Sequence, residues 1–302
     1  MANRPDAIGR EHEIELLLAA LDSGAHVVLE GPPGTGKSTV LRAVAASQDI
    51  PFLFVEGNAE LTPARLVGHF DPARVLADGY VEEIFVDGPL VAALRSGGLL
   101  YVEELNRVPE ETLNVLITVM SEGELHVPRL GMVGAAPGFR LVAAMNPFDA
   151  VGTARISAAV YDRTCRIAMG YQRAAHEKAI VTRHAPPVPD GWREKVVELT
   201  RRTREHPAVR IGSSVRGAID LARLATALAA RRGVDVTDWR VGLDAALVAL
   251  SGRIRLNESG SRAPEDIVRE LYEAVFGAGP KSGEGGDAPG EAPARLRRAA
   301  SH

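Results

Sequence analysis

The segment Gly31-Pro32-Pro33-Gly34-Thr35-Gly36-Lys37-Ser38-Thr39 fits G-x-x-x-x-G-K-[ST] and follows an apolar run, Val27-Val28-Leu29, suited to a buried strand. That order of strand, glycine-rich loop and lysine binds phosphate. Glycines at 31, 34 and 36 let successive backbone N–H groups turn toward the β- and γ-phosphates, and a helix starting near Lys37 adds the positive end of its dipole. Lys37 is a cation for the β/γ oxygens, and Ser38 offers a hydroxyl to Mg²⁺, with Thr39 the less favoured neighbour. The expected ligand is ATP or GTP. Hydrolysis also needs a held metal and a group that orients or deprotonates water. Leu99-Leu100-Tyr101-Val102-Glu103-Glu104 ends an apolar strand in two carboxylates, and alternation along a strand predicts one toward each side of the sheet. Glu103 is then expected beside Ser38 in the Mg²⁺ shell, and Glu104 as the group that polarises water. Asn146, in Ala143-Ala144-Met145-Asn146-Pro147, ends a third strand where open α/β sheets place ligands, although Asn before Pro is also a common turn residue.

These groups need a scaffold. From Ile8 to about Tyr171 short apolar runs alternate with helical patterns, the signature of βαβ units and a mostly parallel sheet covered on both faces. Strands are predicted at 27–30, 52–55, 99–103, 141–144 and 166–169, and helices at 39–46, 63–67, 90–95 and 110–121. Residues 79–88 and 124–138 fit neither and are expected to leave the sheet as hairpins or loops. The Pro/Gly-rich stretch Ala185–Gly191 breaks the composition, after which strand signals stop. Helical spacing then covers 192–205, 214–230, 239–251 and 264–276, a small helical domain. The division expected is 1–184 α/β, 185–276 helical and 277–302 a disordered tail too poor in apolar residues to fold.

Composition bounds the class. The 302 residues are 46% hydrophobic, enough for a sizeable core, and 35 basic against 39 acidic residues give a net charge of −4. That balance gives no support to a nucleic-acid or anionic-membrane partner. The single cysteine, Cys165, cannot close an internal disulfide and reads as a packed thiol. With no apolar signal core at the amino terminus and no run approaching ~20 apolar residues, the expectation is a cytoplasmic protein.

Four motifs in order, Gly-Pro-Pro-Gly-Thr-Gly-Lys-Ser (31–38), Val-Glu-Glu-Leu-Asn-Arg (102–107), Ala-Met-Asn-Pro (144–147) and Ser-Ser-Val-Arg (213–216), resemble those of the MoxR branch of AAA+ ATPases, the helix-2-insert branch, over about residues 8–276. The resemblance implies a P-loop domain with a five-stranded parallel sheet of order 5-1-4-3-2, a helical lid, ATP and Mg²⁺ as ligands, and a homo-oligomeric ring, usually a hexamer. It makes Lys37 and Ser38 Walker A, Glu103 and Glu104 Walker B, Asn146 sensor 1 and Arg216 sensor 2. Ile8-Gly9-Arg10-Glu11 resembles the box lining the adenine pocket. Asp162-Arg163 matches the place of an arginine finger presented to a neighbouring subunit, with Arg155 and Arg166 close by; any of these arginines could instead be an ordinary surface residue. Where the family usually carries Asp-Glu, this chain carries Glu103-Glu104, and the longer Glu103 must fold back to reach the metal. Segment 79–88 matches the helix-2 insert and 124–138 the hairpin before sensor 1. The function implied is a remodelling or maturation chaperone for a protein client, with a von Willebrand factor A domain partner. The alternatives are a nucleic-acid motor or loader, a nucleotide-gated assembly switch with slow hydrolysis and, weakest, a metabolic kinase.

Overall fold

The computed structural model describes residues 7–147, 158–257 and 262–280. In chain order the first part comprises α1 (Glu11–Asp22), β1 (His26–Glu30), α2 (Lys37–Gln48), β2 (Phe52–Glu56), α3 (Pro63–Val67), β3 (Gly68–Phe70), α4 (Pro72–Asp78), β4 (Phe85–Asp87), α5 (Pro89–Ser96), β5 (Leu99–Glu103), α6 (Glu110–Glu122), β6 (Glu124–Val127), β7 (Gly131–Gly134), β8 (Arg140–Met145), α7 (Ala158–Asp162) and β9 (Thr164–Ala168). Strands β2, β5, β8, β1 and β9, in that spatial order, form one parallel sheet. Numbered among themselves along the chain they run 5-1-4-3-2, the expected order.

Alternation divides the sheet between two cores. Val28, Leu100, Val102 and Ala143 pack on the face shared with α5 and α6, while Val27, Leu29, Leu99, Tyr101, Val142 and Ala144 pack on the face covered by α1 and α2. Apolar residues on both faces explain why the central strands read as continuous apolar runs. Cys165 departs from expectation: it is exposed on β9, which lies at the sheet edge.

Two hairpins leave this body. β3 pairs antiparallel with β4, and β6 with β7. The second lies within the predicted 124–138; the first begins at Gly68, well before the predicted 79, because β4 pairs back across α4. Prolines at the first turn of α3, α4 and α5 restart the chain three times around this excursion. Gly68 makes the turn at φ +121, where an added Cβ would lie 2.3 Å from the Val86 carbonyl oxygen.

The remaining elements are α8 (Ala174–His184), α9 (Asp190–Glu205), β10 (Val209–Ile211), α10 (Val215–Arg232), α11 (Trp239–Leu250), β11 (Arg255–Leu256) and α12 (Pro264–Phe276). The helices enclose a third core containing Trp192, Leu221, Val241 and Tyr272, and Val181 of α8 joins it from before the composition break. Strand pairing does not end with the α/β part, since β10 and β11 form a short antiparallel ladder that the sequence reading did not contain. No helix among the described residues is long and apolar enough to cross a membrane.

Candidate nucleotide site

The loop after β1 is shaped by two left-handed glycines, Gly34 (φ +74) and Gly36 (φ +88), and α2 begins at Lys37 immediately beyond them. Gly31 accepts no side chain: a Cβ there would sit 2.0 Å from the Met169 carbonyl oxygen. The Lys37 ammonium folds over the loop and donates to the carbonyls of Gly31 (2.7 Å) and Pro32 (2.9 Å). Burial draws its pKa down to about 8; Glu103 opposes the fall, and Arg216 and Arg10 add to it. Thr35 Oγ1 donates to the Pro32 carbonyl at 3.0 Å. Arg10, almost fully buried, donates to the carbonyls of Thr35 (2.7 Å) and Gly170 (2.6 Å), so the loop is tied to the end of β9 from below.

Beside the loop, Ser38 Oγ donates to Glu103 Oε1 at 2.6 Å and lies 3.1 Å from the Tyr101 hydroxyl. Glu103 thus reaches Ser38 despite its length. Tyr101 and Glu103 are two residues apart on β5 and share the face covered by α2. Burial holds the Tyr101 hydroxyl far above its usual range, so it stays protonated. The oxygen-only pair of Ser38 and Glu103 fits a hard divalent cation such as Mg²⁺, which binds through one or two protein oxygens plus phosphates and water. No cluster of three or more His, Cys, Asp or Glu able to hold a metal occurs among the described residues.

Glu104 is placed differently from expectation. The strand ends at Glu103, and Glu104 adopts φ +52, ψ +46, so a backbone reversal and not strand alternation separates the two carboxylates. A left-handed glutamate is strained and requires support. Support comes from a 3-10 turn over Leu105–Arg107, an ion pair from Arg107 Nε to Glu104 Oε2 (3.0 Å), and Gly57, whose N–H donates to the Glu103 carbonyl at 2.7 Å. A Cβ on Gly57 would lie 2.5 Å from the Glu104 carbonyl oxygen.

Two adjoining cavities share Gly34, Gly36, Thr39 and Arg216. One, of about 410 Å³, holds Pro33, Lys37, Ser38, Glu103, Glu104 and Asn146 opposite Ser214, Arg253 and Arg255 of the helical part. The other, of about 360 Å³, is walled by Ile8, Arg10, Thr35, Tyr171, Glu177, Ile180 and Ile219. A polar compartment beside a more apolar one matches the two ends of a nucleotide. Gly9 does not line either cavity; it turns at φ +68 with its missing Cβ against His176, while the neighbouring Ile8 carbonyl accepts from Gln172 Nε2 at 2.7 Å. Arg216 enters both cavities from the first turn of α10, and the preceding Ser214 rests on Gly34 so closely that a Cβ there would be 2.2 Å from its Oγ. Arg163 is elsewhere, at the α7–β9 junction, donating to Ser121 Oγ and to the Ala159 carbonyl (3.0 Å); Arg166 pairs with Glu30. Neither lines either cavity, and Arg155 lies outside the described residues.

A family model for the AAA domain of the dynein-related subfamily matches residues 26–164. The gas vesicle ATPase GvpN of Haloferax mediterranei is 30% identical over 209 residues, 64% of this chain and 60% of that one. GvpN1 of Halobacterium salinarum is 29% identical over 274 residues, 85% of this chain and 74% of that protein. The chain has the AAA+ P-loop fold and is similar, over residues 26–164, to the AAA domain of the dynein-related subfamily. Its fold also resembles the RuvB Holliday junction branch migration motor of Thermotoga maritima (TM-score 0.52, 18% identity, 91% of this chain and 75% of that one), a likeness of fold. The linear motifs singled out Lys37, Ser38, Glu103, Glu104, Asn146 and Arg216, and all six line the polar cavity. They did not single out Gly57 or Tyr101, or the contact of Arg10 with the loop; the contacts of these three with Glu103, Ser38 and Thr35 span 46, 63 and 25 residues.

Proposed function

We propose that this AAA+ protein hydrolyses ATP and converts the reaction into movement between its α/β body, its helical lid and neighbouring subunits of a ring, acting as a remodelling or maturation chaperone on a protein client. The observation that carries the proposal is the convergence of Lys37, Glu104 and Asn146 from the α/β body with Arg216 from the lid on one cavity. Loop N–H groups and Lys37 would hold the phosphates, and Arg216 would join them from α10. Glu104 would orient and deprotonate water, assisted by Asn146, while Ser38 and Glu103 would hold Mg²⁺, which when bound offsets phosphate charge. Arg163, directed away from its own site, is suited to act on a neighbour's nucleotide in a ring, hexameric by analogy with the family. Relatives described as gas vesicle ATPases support the hydrolytic reading.

The two hairpins are the proposed client-facing parts. Leu76 on α4 is 92% exposed, and Met132 on β7 and Tyr80 near the first hairpin are also largely exposed. Arg129 lies over the Tyr80 ring at 3.9 Å, so the hairpins are in contact and could move together. A von Willebrand factor A domain partner follows from the MoxR type alone. The Arg107–Glu104 ion pair favours a second reading in which basal turnover is slow until a partner releases Glu104 and the ring serves as a nucleotide-gated switch.

Loading Glu104→Gln with ATP tests both readings. A ring that captures a folded protein client supports the chaperone, and wild-type turnover that accelerates on adding the captured protein supports gated hydrolysis. A variant that remains monomeric with ATP bound contradicts the ring.

A further inference from the structure

The cavity wall formed by Tyr171 and Glu177 is joined to the start of α10 by one side chain, Arg204, in the last turn of α9. Glu177 is buried, with its side chain 3% exposed, and its two carboxylate oxygens meet two arginines: Oε1 is 2.8 Å from Arg204 Nη2 and Oε2 is 3.2 Å from Arg201 Nη1. The Arg204 guanidinium lies over the Tyr171 ring at 4.0 Å. Its Nε donates to the Ser213 carbonyl at 2.7 Å. A charge that is 90% buried and has a carboxylate, an aromatic face and a carbonyl as partners is fixed in place, and each partner is fixed by it in turn.

The carbonyl it holds belongs to the hinge into α10. Ser213 is itself buried, and its N–H donates to Thr203 Oγ1 at 2.9 Å. Gly212, one residue earlier, packs on the Arg204 backbone so tightly that a Cβ would be 2.6 Å from the Arg204 Cα. Three residues after Ser213 comes Arg216, which reaches both cavities. Arg216 thus follows closely on residues 212–213, which α9 grips, and that grip shares the Arg204 side chain with the cavity wall of Tyr171 and Glu177.

We infer that Arg204 is a positioning residue for Arg216: it aligns the start of α10 so that Arg216 meets the terminal phosphate, and it couples that alignment to occupancy of the cavity bounded by Tyr171 and Glu177. The inference rests on the nucleotide-site reading above and adds a residue to it. Arg204 touches no phosphate, so its loss should weaken discrimination of ATP from ADP only through Arg216.

A double-mutant cycle separates this from a role in folding alone. Dissociation constants of fluorescent ATP and ADP analogues would be measured for wild type, Arg204→Gln, Arg216→Ala and the double variant, with thermal melting to establish that each is folded. Losing one charge-assisted contact to the terminal phosphate is expected to lower the ATP preference by about tenfold. Arg204→Gln should reproduce most of that fall, and the double variant should be no worse than Arg216→Ala. If Arg204→Gln does not fold, Arg204→Lys keeps a cation beside Glu177 but removes the planar fork and Nε, and it should show the same fall. A wild-type ATP preference in the folded Arg204 variant, or a double variant whose loss is the product of the two single losses, overturns the inference. Failure of wild type to bind either nucleotide would instead remove the site reading on which it rests.

Discussion

Lys37 is expected to make nucleotide affinity fall as pH rises, because burial lowers its pKa in the free protein. In the free protein burial lowers its pKa from 10.5 to about 8, while polyphosphate in the loop would surround the ammonium with negative charge and restore a high value. Binding therefore takes up a proton between about pH 8 and pH 10.5. At pH 7 the ammonium is charged in both states and affinity is flat; above pH 8 affinity should fall toward tenfold per pH unit, a total of about 3 kcal/mol if the bound value returns to 10.5, at about 1.4 kcal/mol per unit. Stability of the free protein runs the opposite way. The unfolded chain holds more protons on this lysine across the same window, so the contribution of Lys37 to stability rises as pH climbs from about 8 to 10.5 and is absent below it. Titration calorimetry at pH 7, 8 and 9, in buffers of different ionisation enthalpy, reads both affinity and proton uptake. The expected uptake is near zero at pH 7, about half a proton at pH 8 and nearly one at pH 9. ATP is almost fully ionised at these two higher values, so its own titration contributes little. An affinity constant from pH 7 to 9 with no proton uptake would refute the reasoning, as would the same pH dependence in folded Lys37→Arg, whose guanidinium does not titrate there.

Other perturbations probe the surrounding geometry. Gly57→Ala places a methyl 2.5 Å from the Glu104 carbonyl oxygen, so it should destabilise the fold by about 1–3 kcal/mol and lower kcat more than nucleotide affinity; melting and steady-state kinetics read the two effects. Tyr101→Phe removes the hydroxyl 3.1 Å from Ser38 Oγ and should weaken metal-dependent ATP binding severalfold while leaving metal-free binding unchanged. Lys37→Ala and Arg163→Ala subunits, each inactive alone, should regain part of the wild-type ATPase rate when mixed, if Arg163 serves a neighbour's site; mixed rings of normal size without activity would rule out that placement.

The sheet was legible because its strands are apolar on both faces: Val27–Leu29, Leu99–Val102 and Val142–Ala144 are continuous runs, and each is fully or almost fully buried. Short elements on the periphery were not. α4 has no buried residue, and in α7 only Val160 is buried, so neither carries a periodic apolar signal. α8 buries only Glu177 and Val181, and its place depends on ion pairs to α9 that no local pattern announces. By contrast α1 does carry Ile14, Leu17 and Leu21 at helical spacing, a signal that a strand-led reading passes over. Site residues divide in the same way. Lys37, Ser38, Glu103 and Glu104 lie in contiguous motifs whose chemistry can be read along the chain. Gly57 and Arg204 act through contacts that exist only after folding, and the left-handed turn at Glu104 could not be inferred from a rule of strand alternation.

The central claim is that Glu104 activates water for nucleotide held by the Lys37 loop. Its most direct test is phosphate release from ATP by wild type and by Glu104→Gln, with nucleotide affinity measured on the same preparations. The account predicts at least a hundredfold loss of turnover, within the ~10²–10⁴-fold that a general base supplies, with affinity within a few-fold of wild type. Undiminished phosphate release by Glu104→Gln, with ATP bound as in wild type, would contradict it.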